Sequence, residues 1–341
     1  MLMPDLHGAS LDAATHPAAR ASPVPSRGPR RHIAGRSTLM RVLVTGGTGF
    51  IGRALVFALA REGHVVCVPS RDPARARRLL GDAVTVAGAI EPLLQAGGVD
   101  AVVNLAGEGI ASRPWTAGRR ALLRLSRIAY TASLVDALAR CERPPRVLVS
   151  ASAIGWYGVR HDDVVMDEGQ PVGGGFAAGL CADWEQAAAA AAQLGTVVST
   201  LRIGLVLGRD GGVLPPQLLA TRLGAGSVLG DGRQWQSWIH RDDVVALIRH
   251  LLYQPSAGAW NAVAPEPVRQ RAFADALARR LHRPRFLRVP APCLRAVLGD
   301  LAEELLLSGA RVLPRRAQAE GVGMRFETLD AALADLLAGP G

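Results

Sequence analysis

The sequence predicts an α/β fold built on a doubly wound parallel sheet, with a smaller lobe formed by its C-terminal part. Three observations predict it. Short apolar runs of strand type alternate with helical patterns from Met40 to Leu201, the signature of a parallel sheet covered on both faces. The first strand runs into glycines at 46, 49 and 52 and then directly into a helix. The chain has 341 residues and 49% hydrophobic content, enough to bury one large core with a lobe attached.

The elements follow in order. Residues 41–45 read as a strand, 46–52 as a tight turn and 53–60 as a helix. Glycines let such a turn bend sharply and let a pyrophosphate approach the backbone, while the helix N-terminus turns unpaired N–H groups towards the anion. The unit predicts dinucleotide binding, with Gly46, Thr48, Gly49, Phe50, Ile51 and Gly52 at the cofactor. A second strand over 63–71 completes a βαβ unit. Where an acid would hold the ribose 2′-hydroxyl of NAD, the chain carries Ser70 and Arg71. A guanidinium there suits a 2′-phosphate, so NADP(H) is favoured over NAD. Asp72 next to it either neutralises Arg71 or reaches the ribose itself.

A helix over Pro73–Leu80, a weak strand over 83–87 and a buried strand over 99–107 come next. The last brings Leu105, Ala106 and Gly107 to the carboxyl end of the sheet, at the cofactor. Asn104 stands open between a ligand contact and a structural turn residue. Thr116 caps a long helix running to about 140, which Pro144 and Pro145 punctuate. The strand over 146–150 then carries Ser150 towards the cofactor and leads to Ser152 and Tyr157, hydrogen-bonding groups placed where a hydride-transfer site needs them. Tyr157 is read either as an acid/base group or as a packed aromatic.

Residues 162–175 read as a glycine-rich loop of lid type, and 176–194 as an alanine-rich helix. Cys181 on that helix is read as a buried thiol in preference to a nucleophile. A strand over 196–201 delivers Arg202 to the cleft, either for an anionic substrate group or for a carboxylate of the protein. Trp115, Arg202, Trp238 and His240 are the substrate-side candidates. Asp242 and Asp243 are expected to cap a helix from Val244, with His240 read as a structural histidine ahead of an acid/base one.

The net charge is +10, and all 39 basic residues are arginine; the chain contains no lysine. The arginines are scattered without interleaved aromatics, which argues for solvated faces and against nucleic acid. Four cysteines without metal-type spacing point to a reducing cytoplasm and to no metal site. No apolar run is long enough for a membrane span. Residues 1–39 carry five arginines amid Ala, Pro, Ser and Gly and are expected to be disordered. Of a targeting peptide, a basic tail and a non-native extension from an upstream start, the last is favoured because Met40 directly precedes the first strand.

The stretches Thr45–Gly52, Asn104–Gly107 and the serine strand ending in Tyr157-Gly158 resemble the extended, epimerase-like branch of the short-chain dehydrogenase/reductase superfamily. More narrowly, Trp115-Thr116, Ala178–Glu185, Leu201–Leu207 and Trp238–Val244 are similar to its YfcH-type epimerase family, of unknown substrate, with a subfamily-specific C-terminal segment. The resemblance implies a Rossmann-like NADP-binding domain over 40–205, to which part of the later chain returns, and a substrate lobe over 206–337 that includes the segment 284–337. It implies an NADP(H)-dependent oxidoreductase or isomerase acting on a small carbonyl or hydroxyl substrate, sugar nucleotides included; the alternative is a catalytically impaired NADP(H)-sensing protein. A homodimer is compatible with either. The family's usual tyrosine and lysine would fall at Ala177 and Cys181, so the chain lacks that pair.

Overall fold

The computed structural model describes residues 39–338, and the expectations for 1–38 lie outside the described residues. Strand β1 (Arg41–Thr45) alternates Val42 and Val44 with Leu43, all fully buried but in two different core clusters. Both faces of the strand are therefore covered, as the apolar run requires. The glycine turn leads to α1 (Phe50–Arg61), followed by β2 (Val65–Pro69), α2 (Pro73–Leu80), β3 (Val84–Ala87), α3 (Glu91–Gln95) and β4 (Ala101–Asn104). Helices α4 (Ala117–Arg124) and α5 (Tyr130–Ala139) are joined by a π-helical turn, Leu125–Ala129, so the single long helix expected here carries one over-wide turn. Thr116 caps its start by accepting from the Arg119 amide at 3.2 Å. Strand β5 (Val147–Ala153), the short β6 (Val165–Met166), α6 (Phe176–Ala189) and β7 (Val197–Ile203) complete the first part.

Seven strands form one parallel sheet in the order Gly258–Ala262, β7, β5, β4, β1, β2, β3. The order turns back between β1 and β4, and clefts open at such switch points on the carboxyl side of the strands. The edge strand Gly258–Ala262 and the helix before it, Arg241–Tyr253, come from late in the chain. Leu247, Ile248, Leu251 and Leu252 of that helix share a core cluster with Leu55 and Leu59 of α1. The opposite face is filled by Leu134 and Leu138 of α5 and Ala188 of α6. The later chain builds its own cluster around Leu207, Trp238, Phe273, Phe326 and Leu333.

Two expectations are corrected. The 162–175 loop is not a free lid. Strand β6 pairs with Arg311–Val312, the Gly173 amide donates to the Trp156 carbonyl at 2.8 Å, and the Trp156 indole donates to the Gln170 carbonyl at 3.1 Å. Gly158, at φ +69°, lies so close to Gly174 that a Cβ would come within 2.5 Å of its carbonyl. The helix near Val244 starts instead at Arg241, capped by His240, whose Nδ1 accepts from the Asp242 amide at 3.1 Å. Asp243 faces the other way and accepts from the Arg325 and Phe326 amides.

The start of α6 lacks a cap of its own, because Gly175 has no side chain to offer. Glu304, from the C-terminal segment, fills the role by accepting from the Phe176 and Ala177 amides at 2.8 and 2.7 Å.

Beneath the switch point lies a buried polar hub. Thr45 donates to Asn104 Oδ1 at 2.7 Å, and Asn104 Nδ2 donates to Thr131 at 2.9 Å and Ser150 at 3.3 Å. Trp184 of α6 donates to the same Thr131 hydroxyl. Asn104 is thus structural, through side chains of neighbouring elements. Asn104→Ala would strip these partners in a dry interior and is expected to cost about 2–4 kcal/mol. Urea unfolding should show a lowered midpoint at unchanged slope; a loss below about 0.5 kcal/mol would remove the hub's importance.

Candidate functional site

The carboxyl ends of β1, β2 and β4 open onto a cleft of about 620 Å³, lined among others by Gly46, Thr48, Gly49, Ser70, Arg71, Arg75, Leu105, Ala106, Gly107, Glu108, Ser126 and Tyr130. Its floor needs glycine. Gly46 sits at φ +67°, and a Cβ there would come within 2.6 Å of the Leu105 carbonyl oxygen. A Cβ on Gly52 would collide with the Gly46 carbonyl. Helix α1 begins at Gly49 with no side-chain cap and no acid in its first turn. The N-terminal amides of Phe50, Ile51 and Gly52 are therefore left to an outside anion, as at other phosphate-binding helix starts. The Phe50 ring itself turns away and packs against Gly208 and Gly211.

The far end of the cleft is basic. Arg71 is 98% exposed in its side chain, with Glu108 at 4.0 Å, and Arg75 lines the same wall. Asp72 is occupied elsewhere: it caps α2, accepting from the Arg75 amide at 2.9 Å. With Asp72 engaged at the start of α2, Arg71 and Arg75 are the residues beside β2 that fit a 2′-phosphate. Ser150 does not reach this surface, since it is fully buried and receives the Asn104 amide.

Ser152 and Tyr157 lie in a second, tightly bonded group. Ser152 donates to Glu185 Oε1 at 2.7 Å. Arg202 grips the same carboxylate with Nε at 3.0 Å and Nη2 at 3.1 Å, and its guanidinium stacks 3.8 Å from the Trp156 ring centroid. The Tyr157 hydroxyl is buried; its one proton lies between the Asn261 Oδ1 at 2.7 Å and the Asp167 carbonyl at 2.9 Å, and its oxygen accepts from Arg202 Nη1 at 3.3 Å. Burial pushes its phenol above the usual range. Tyr157 is consequently a packed aromatic with a committed hydroxyl, and the acid/base reading of it is corrected.

Ala177 and Cys181, where the resemblance would put the usual tyrosine and lysine, face Gly155 from α6. Cys181 Sγ contacts the Ala153 carbonyl at 3.6 Å, and burial pushes its thiol up to about 11. No group at either position exchanges protons near neutral pH.

The substrate-side candidates do not converge. Arg202 is spent on Glu185. Trp115 is buried against Phe176, Leu180 and Leu301, donating to the Ile110 carbonyl. Trp238 is fully buried and donates to the Glu266 carbonyl. His240 caps its helix, lies against Phe326 and has Asp335 at 3.4 Å; burial lowers its pKa. Residues passed over in the sequence matter more. Glu185 stands in the quoted Trp184-Glu185 pair, yet only its contact with Ser152 reveals a role. Ser126 and Tyr130, one turn apart on the helix wall of the cleft, carry no motif signal. Among the described residues no group of three or more His, Cys, Asp or Glu could hold a metal ion, and no helix is long and apolar enough to cross a membrane.

At pH 8 a thiol of pKa about 11 is thiolate about one part in a thousand. Iodoacetamide should therefore label exposed Cys293 first and Cys181 only on unfolding. Fast native labelling of Cys181, mapped by peptide mass, would contradict its placement.

Comparison with known proteins agrees with this architecture. Residues 42–263 match the NAD dependent epimerase/dehydratase family, and 289–336 match a domain of unknown function, DUF1731. The chain is 39% identical over 305 residues to an Arabidopsis thaliana protein described as epimerase family protein SDR39U1 homolog, chloroplastic, covering 87% of each chain. It is 32% identical to Bacillus subtilis epimerase family protein YfhF, over 88% of this chain and 98% of that one. The crystal structure of human epimerase family protein SDR39U1 (isoform 2) with NADPH superimposes with a TM-score of 0.78 at 35% identity, covering 88% of this chain and all of that one. A Corynebacterium glutamicum nucleoside-diphosphate sugar epimerase gives 0.70 at 28%, over 88% of this chain and 59% of that one. With a family match over most of its length, the chain belongs to the NAD dependent epimerase/dehydratase family, in the extended branch of the short-chain dehydrogenase/reductases, and carries a C-terminal DUF1731 domain.

Proposed function

We propose that this protein binds NADP(H) in the cleft between β1, β2 and β4 and acts as an oxidoreductase or isomerase on a small carbonyl or hydroxyl substrate, without a tyrosine–lysine pair. One observation carries the cofactor assignment: an uncapped helix start at Gly49 and the exposed Arg71 stand at the two ends of one cleft, while Asp72, the acid next to Arg71, caps α2. The NADPH in the human relative's crystal structure supports it. Sugar nucleotides are the substrate class suggested by the Corynebacterium neighbour.

The bound nicotinamide would supply hydride transfer. The chain's own contribution is the Ser152–Glu185–Arg202 group. A serine that donates its proton to Glu185 keeps its oxygen lone pairs for a substrate hydroxyl, and a proton taken from that hydroxyl passes on to the carboxylate. Arg202 fixes the carboxylate in place with two parallel bonds. This favours a hydroxyl-bearing substrate at Ser152.

A second reading is supported by Ala177 and Cys181: a protein that senses NADP(H) without turning it over. The two separate experimentally. Arg71→Glu should weaken NADPH by about tenfold or more while changing NADH less than about twofold, measured by fluorescence titration. Equal losses would remove the 2′-phosphate assignment. Across panels of carbonyl compounds and nucleotide sugars, substrate-dependent NADPH oxidation that falls at least about a hundredfold in Ser152→Ala supports the enzyme. Tight NADPH binding with no oxidation on any panel supports the sensor.

A further inference from the structure

Phe50 is the first residue of α1, and its ring is held by a much later part of the chain. Its amide stands at the open start of the helix, where Gly49 offers no side-chain cap. The ring points the other way, into a hairpin of strands Leu205–Gly208 and Gly211–Gly212. The socket is made of glycines. A Cβ on Gly208 would overlap the ring tip at Cζ, and one on Gly211 would come within 2.5 Å of Cδ2 and 2.7 Å of Cγ. Gly212 sits at φ +74°, a backbone that favours glycine whatever lies nearby. Gly208 and Gly211 have no positive φ, so the Phe50 ring is what excludes a side chain there.

Neither side of this contact is free to retreat. Strand Leu205–Gly208 pairs with Trp238–His240, whose residues are all buried. Asp210, at the hairpin tip, accepts from both Arg53 of α1 and Arg241 of the helix Arg241–Tyr253. The Arg241 guanidinium also stands 5.4 Å from the Phe50 ring centroid. Hairpin, ring and helix start form one clamp, and its glycines lie outside the lining of the cofactor cleft. The hairpin begins three residues after Arg202, so one stretch of chain holds the Glu185 carboxylate at one end and α1 at the other. Carbon atoms rest about 3.5–4.0 Å apart, so a methyl on Gly211 would push the base of the ring by about 1 Å. A close-packed interior passes such a shift to the Phe50 backbone, and an N–H···O bond lengthened by that much is lost.

We propose that the Phe50 ring in its glycine socket sets the direction of the first amides of α1, so that this hairpin fixes how tightly the protein holds the diphosphate of its dinucleotide. The proposal rests on the NADP(H) reading of the cleft. Phe50, Gly208 and Gly211 are positioning residues, acting through the backbone of the helix start. The diphosphate is common to NADPH and NADH, whereas Arg71 meets only the 2′-phosphate. The clamp and Arg71 therefore act on separable parts of the affinity.

The test is a double-mutant cycle, read by calorimetric titration of NADPH and NADH into the full-length wild type, Gly211→Ala, Phe50→Ala and the double variant. Gly211→Ala should weaken both nucleotides about tenfold, the size of one charge-assisted hydrogen bond lost, at unchanged stoichiometry and with the ratio between them kept within about twofold. Phe50→Ala should weaken both as well. Adding Gly211→Ala to it should then change neither affinity by more than about twofold, because the ring through which the methyl acts is gone. Where either variant fails to fold, Gly208→Ala replaces Gly211→Ala and Phe50→Leu replaces Phe50→Ala in the same cycle. A glycine variant that melts earlier but binds both nucleotides like wild type overturns the proposal, since a merely structural contact gives that result. So does an equal loss with and without the ring, or a loss confined to NADPH. Wild-type protein that binds neither nucleotide overturns the cofactor reading as well, whereas wild-type binding with indifferent glycine variants leaves that reading standing and removes the clamp alone.

Discussion

The site depends on one buried set of hydrogen bonds, the hub at Asn104. Its amide joins Thr45 at the end of β1, Ser150 at the middle of β5 and Thr131 on α5, and Thr131 in turn receives Trp184 of α6. The hub thus ties two adjacent strands and β5 to the two helices that cover that face of the sheet. In a dry interior such bonds have sharp geometry and few alternatives. They set the height of the Gly46 turn against Leu105, a fit with no room for one more carbon atom. The precision of the cleft floor is inherited from polar atoms that never touch a ligand.

A second group, Glu185 with Arg202, does for the inner site what Asn104 does for the outer one. Without Glu185 the Arg202 guanidinium would be a buried charge without a counterion, and without Arg202 the carboxylate would be one. Their pairing consumes a residue that looked free for substrate and gives orientation to one that had been given no role. The division of labour is physical: charges that balance one another inside the protein hold shape.

The local half of this organisation was legible in the chain. The strand, glycine turn and helix over 41–61, the helix Pro73–Leu80 and the Thr116 cap all rest on contacts within a few residues, where spacing and turn chemistry suffice. The absence of lysine needed only counting, and it removed the usual proton-transfer pair before any coordinates. What stayed hidden depends on distant pairing. Strand Gly258–Ala262 returns to the sheet edge beside β7, and Val165–Met166 meets Arg311–Val312, so a loop that looked mobile is fastened. His240 outcompeted two aspartates for a cap because Asp243 was already claimed by Arg325 and Phe326. Arg202, Trp115 and Trp238 carried the right chemistry for a cleft and were spent on the interior, a choice that sequence periodicity does not record.

Glu304 gives the boundary between the two matched segments a meaning of its own. The epimerase match ends at 263 and the DUF1731 match begins at 289, yet the first turn of α6, deep within the former, is completed by a carboxylate from the latter. The frontier between the matches is not a frontier of folding. A recombinant that exchanged the C-terminal segment for one without a carboxylate at this place would leave the helix open at its start, so the two parts are coupled in stability.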